Sequence, residues 1–106
     1  MPVPFEQMVE ELRKAEQARD LLSELERHLA GGNTGLERYL NQLEQLAQSY
    51  PEKHTTRILI ESAVGAARTR SSIKAGSDVS RSRSSIEGEI STLRGAIQGI
   101  QARADA

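Results

Sequence analysis

The chain has 106 residues, enough for one domain with a modest core, and its 14 basic and 15 acidic side chains leave a formal charge of −1. That balance gives no global attraction to nucleic acid or anionic membrane, and the absence of cysteine removes disulfides, thiolate nucleophiles, zinc ribbons and iron–sulfur clusters together. One Phe, two Tyr and no Trp leave burial to aliphatic side chains along helices.

The first helix is predicted over residues 5–30. Met8, Leu12, Ala15, Ala18, Leu22, Leu25 and Leu29 recur at steps of three and four and so share one face. Pro4 stands where proline is tolerated, Glu6, Glu10 and Glu11 suit the positive end of the helix dipole, and Arg27 and His28 suit the negative end. Gly31-Gly32 then lets the chain turn out of the helix.

A second helix is predicted over residues 34–49, with Thr34 and Glu37 at capping-box spacing and a stripe of Leu36, Leu40, Leu43, Ala47 and Tyr50. Ser49-Tyr50-Pro51-Glu52 repeats the capping pattern and starts a third helix over residues 51–75, unless Pro51 only kinks a longer one. Leu59, Ser62, Ala66, Thr69 and Ile73 give this segment a face of small residues with weak intrinsic helix preference.

At Pro51 the aliphatic alphabet changes: nine leucines and no isoleucine precede it, seven isoleucines and two leucines follow. Charge changes with it, since residues 1–50 carry five basic against nine acidic side chains and residues 51–106 carry nine against six, or −4 and +3. Complementary halves of this kind can fold back on each other or pair between chains.

Residues 76–83 read as a polar, basic break near Gly76 to Asp78, and around it Arg68-Thr69-Arg70-Ser71-Ser72-Ile73 is echoed thirteen residues later by Arg81-Ser82-Arg83-Ser84-Ser85-Ile86. A last helix over residues 84–103 then starts at a third capping box, Ser84 to Glu87. It carries a coiled-coil-like seam of Ile86, Ile90, Leu93, Ile97 and Ile100, about two heptads long, which needs a tertiary or quaternary partner to be stable. Gly88, Gly95 and Gly99 weaken the helix and are expected to lie under something closely packed.

The expected fold is therefore all-α: one domain, an antiparallel helical hairpin or bundle of three to four helices. No catalytic constellation stands out. His28 and His54 have no second nitrogen or sulfur ligand at metal spacing, and Glu10-Glu11 and Glu24-Glu26 read as solvated faces rather than paired acids. The serines lack a neighbouring base, and there is no glycine-rich phosphate loop, so no cofactor, metal or small-molecule substrate is expected.

Two surfaces are candidates for binding. The isoleucine seam (Ile86, Ile90, Leu93, Ile97, Ile100) would meet a second copy or a helical protein partner, making this a non-enzymatic structural or adaptor protein. Alternatively Arg68, Arg70, Lys74, Arg81 and Arg83 would contact phosphates in a nucleic-acid-binding or regulatory protein, although no aromatic residue interleaves them and the pI is about 6.1. The RxRSS serines also suit basophilic kinases. Otherwise the arginines face the acidic first helix, or Glu residues of a neighbouring chain.

A cysteine-free helical chain of this length with a break at Gly31-Gly32-Asn33-Thr34-Gly35 is similar in size and class to the small helical-hairpin proteins exported by type VII secretion. It lacks their Trp-x-Gly turn and a tyrosine-plus-acid signal on the last helix. A small helical secreted or virion building block stands as a further alternative. No apolar run approaches the ~18 residues of a membrane span, and the acidic start is unlike a signal peptide. A cytoplasmic location is expected, with export lacking a cleavable signal as the other route.

Overall fold

The computed structural model describes residues 5–31 and 35–105, apart from the side chains of Ser72 and Asp105, and within them the fold is an all-α bundle of four helices. These are α1 (Phe5–Gly31), α2 (Leu36–Gln48), α3 (Thr55–Thr69) and α4 (Ser72–Asp105). Side-chain contacts give the directions. Arg83 reaches Glu26 and Arg94 reaches Glu16, so α4 runs antiparallel to α1. Arg68 pairs with Glu37 and Glu44, and Thr56 bonds Glu89, so α3 runs antiparallel to both α2 and α4. Each helix thus packs on its neighbours in the chain, α4 closes on α1, and α1 and α3 face each other across the diagonal.

The leucine face of α1 enters the core as its periodicity requires, with Ala15, Ala18, Leu22, Leu25 and Leu29 buried. They meet Leu40, Leu43, Leu46 and Ala47 of α2, Ile60, Ala63 and Val64 of α3, and Ala75, Val79, Ile86 and Ile90 of α4. Leucine and isoleucine halves of the sequence therefore fill one common core, and each helix contributes an aliphatic stripe that would be exposed alone.

The joints differ from the sequence reading. Thr34 of the first expected capping box lies outside the described residues; α2 begins after Gly35, whose φ of 77° is left-handed and suits a residue without Cβ. Ser49 does not start a helix: its Oγ donates to the Leu46 carbonyl at 2.6 Å and ends α2. Pro51 disfavours helical backbone at Tyr50, so the chain turns and α3 starts four residues later than the predicted 51. His54 caps it, its Nδ1 accepting the Thr56 amide at 3.0 Å.

The larger correction concerns residues 76–83, expected as a break and found inside α4. The turn falls instead at Arg70 and Ser71, where Arg70 is extended (φ −111°, ψ 163°) and its amide closes α3 on the Ala66 carbonyl at 2.9 Å. Helix continues through the Arg/Ser stretch because Ala75, Val79, Ser82, Ile86 and Ile90, spaced four, three, four and four, are all buried in the bundle. The third expected capping box is likewise internal, with Glu87 accepting from Arg83 at 3.0 Å across one turn.

Element lengths decide the shape. At 1.5 Å per residue α4 is about 51 Å long, α1 about 40 Å, and α2 and α3 only about 20 Å each. The molecule measures 52 × 22 × 19 Å. The α2–α3 turn comes level with Glu11 and Lys14, since His54 bonds Glu11 and Lys14 donates to the Ser49 carbonyl. Beyond it α1 and α4 continue together as a two-helix extension.

Candidate functional site

The five seam residues do not act as one surface. Ile86 and Ile90, 0% and 2% exposed, belong to the intrachain core and are closed to any partner, because α1 and α3 already flank α4 there. Ile97 is buried, and Leu93 and Ile100 are half-buried, on the two-helix extension. Opposite them on α1 lie Met8 and Leu12, half-buried, with Phe5 and Val9 at 38% and 41% exposure. This α1 contribution has a sequence signal, the four-residue step from Phe5 to Val9 beside Met8 and Leu12. The expected packing over Gly88, Gly95 and Gly99 is not provided by the chain itself, as a Cβ at each would meet nothing within 4 Å.

The basic segment is spread along α3 and α4 and is largely neutralised. Arg68 binds Glu37 and Glu44, Arg70 and Arg81 share Asp78, and Arg83 bonds Glu26 of α1 and Glu87 of α4. The hydrogen bond from Arg83 to Glu26 raises the guanidinium's pKa further and holds it charged. Lys74 stays at the surface. Of the segment's arginines, Arg83 reaches a carboxylate of the first helix, while Arg68 turns to α2 and Arg70 and Arg81 to Asp78 of α4 itself.

A third site, not expected from sequence, lies at the base of the extension. A cavity of about 460 Å³ is walled by Glu11 of α1, Tyr50 and His54 of the turn, Thr56 of α3, and Gly88 and Glu89 of α4. His54 is half-buried and ties α1 to α3. With Nδ1 accepting from Thr56, its proton is on Nε2, which donates to Glu11 at 2.8 Å. Thr56 Oγ1 donates to Glu89, 3.0 Å from each carboxylate oxygen.

Tyr50 is 4% exposed, and its hydroxyl is the one buried side-chain polar atom among the described residues with no hydrogen-bond partner. Burial, then the negative fields of Glu11 and Glu89, push the phenol up to about 12. Lys14 stacks over the ring at 4.1 Å from its centroid. These wall residues come from four elements and share no spacing in sequence, so no motif announces them.

Among the described residues no three or more His, Asp or Glu side chains are arranged to hold a metal ion, and no helix is long and apolar enough to cross a membrane. No protein-family model, curated protein or solved structure matches this chain.

Proposed function

We propose that this protein is a non-enzymatic association module that pairs with a second copy of itself through the two-helix extension. The observation that carries the reading is the exposure of Phe5 and Val9 beside half-buried Met8, Leu12, Leu93 and Ile100, where α1 and α4 outrun α2 and α3. An isolated pair of helices buries one seam and leaves the flanks wet; a second pair, laid antiparallel across it, completes a four-helix layer like the one within the chain. Acidic Glu6 on α1 and basic Arg103 on α4 give such a two-fold arrangement opposite charges to place across the joint. The face is small, about 18 Å long from Leu93 to Asp105 on α4, which points to micromolar rather than nanomolar association.

Phosphate contact through Arg68, Arg70, Lys74, Arg81 and Arg83 is the weaker reading, because four of the five already meet carboxylates. Sedimentation velocity tests the pairing. The wild type at tens of micromolar is expected to contain dimer, and Phe5→Glu with Val9→Glu to abolish it while the helical circular dichroism is retained, since both side chains are exposed. A strictly monomeric wild type, or a dimer unchanged in the double variant, sinks the reading.

A further inference from the structure

The two histidines of the chain use their rings differently. His28 Nδ1 lies 2.9 Å from the Glu24 carbonyl, which can only accept, so that nitrogen donates and Nε2 is free to take up a proton without breaking the bond. His54 has no such freedom. Its Nε2 donates to Glu11 of α1 at 2.8 Å, and its Nδ1 lone pair accepts the Thr56 amide at 3.0 Å and caps α3. A proton added to His54 therefore lands on the nitrogen that holds the cap. Two N–H groups then face each other, and amide and imidazolium cannot both stay in place.

The charged and titratable groups around the ring come from every neighbouring element. Glu11 on α1 and Glu89 on α4 wall the cavity beside His54. Lys14 of α1 lies over the Tyr50 ring and donates to the Ser49 carbonyl, and Arg57 of α3 is turned to Glu61 and the Tyr50 carbonyl. Glu52 and Lys53 are exposed on the turn. Tyr50, its ring centroid 4.6 Å from that of His54, keeps its proton up to about 12.

We propose that His54 is an acid-operated release for the N-terminus of α3, in which protonation breaks the Thr56 cap while the ring stays bonded to Glu11. The Glu11 contact becomes charge-assisted as the cap is lost, so the imidazolium keeps to α1 and lets go of α3. The Ile58 amide still donates to the His54 carbonyl at 3.1 Å, which confines the opening to Thr55 and Thr56. Thr56 Oγ1 also ties this turn to Glu89, so the release loosens the joint between α3 and α4 at the base of the extension.

The device is independent of self-association, and the test is made in the Phe5→Glu/Val9→Glu background so that the two readings fail separately. Isotopically labelled protein is followed by NMR from about pH 8 to about pH 5, the range across which histidine changes charge. At the upper end a coupling across the hydrogen bond between the Thr56 amide nitrogen and His54 Nδ1 is expected, with the ring proton on Nε2. On acidification the coupling is lost, and the Thr56 amide proton moves upfield with the same midpoint as the His54 ring signals. The amides of Val79 and Ile86, in the core of α4, stay where they are. His54→Asn, whose side-chain oxygen caps without titrating, should hold the Thr56 amide constant, and Glu11→Gln, which still accepts from Nε2, should leave its movement intact. No coupling at the upper end, a coupling that survives protonation of the ring, or Val79 and Ile86 moving together with Thr56 overturns the proposal. So does a Thr56 shift that persists in His54→Asn or is abolished by Glu11→Gln.

Discussion

Tyr50 sits where the four-helix core ends, and three features of the bundle meet on it. Its ring stacks under Lys14 and lies 4.6 Å from the His54 ring, its carbonyl accepts from Arg57, and its hydroxyl is buried without a partner. The phenol titrates at about 12 in the folded chain and near 10 when unfolded, so the native state holds the proton more tightly. The stability this contributes is fully present below pH 10 and is lost as pH rises toward 12. Across that window Tyr50 accounts for a loss of no more than about 2 to 3 kcal/mol, which denaturant melts at stepped alkaline pH would measure. Tyr50→Phe removes both the titrating group and the unpaired hydroxyl. It is expected to raise neutral-pH stability by about 1 kcal/mol and to flatten the alkaline decline attributable to this residue. A lower neutral-pH stability in Tyr50→Phe would mean that the hydroxyl is well solvated or bonded in the folded protein.

At the scale of elements, α1 and α2 were legible because leucine at steps of three and four is a strong signal and glycine separates them; predicted residues 5–30 and 34–49 became Phe5–Gly31 and Leu36–Gln48. The break expected at residues 76–83 was misread from composition. Serine, arginine and Gly76 suggested a loop, while the stripe that makes the segment helical runs through inconspicuous residues, Ala75, Val79 and Ser82, and becomes obvious only at Ile86. Glu26, 57 residues from Arg83, adds a contact that no local pattern reveals. The seam of Ile86 and Ile90 was correctly apolar, but sequence alone could not say that α1 and α3 of the same chain cover it. Gly76 offers a direct check on the continuous helix. It has no left-handed φ, and an added Cβ meets nothing within 4 Å, so Gly76→Ala should stabilise α4 by about 1 kcal/mol and raise the melting temperature by about 4–6 °C. A melting temperature lowered by Gly76→Ala would instead restore a turn at that position.

At the scale of the molecule, unequal helix lengths matter more than any single contact. A radius of gyration of 15.3 Å exceeds the ~13 Å of a compact chain of this size, because α1 and α4 extend past the shorter pair. That elongation distinguishes the ways two copies can meet. If the extensions overlap tail to tail over about 18 Å, two molecules each 52 Å long form a rod of about 85 Å. If they pack flank to flank, the longest dimension stays near 52 Å while the cross-section doubles. Small-angle X-ray scattering across a concentration series separates these cases. Tail-to-tail pairing predicts a maximum dimension that lengthens toward about 85 Å as dimer accumulates, and a return to the monomer curve in Phe5→Glu/Val9→Glu. A dimer whose length stays near 52 Å would place the contact along the α2–α3 side, where Ile58 is 54% exposed, and would remove the extension as the joining surface.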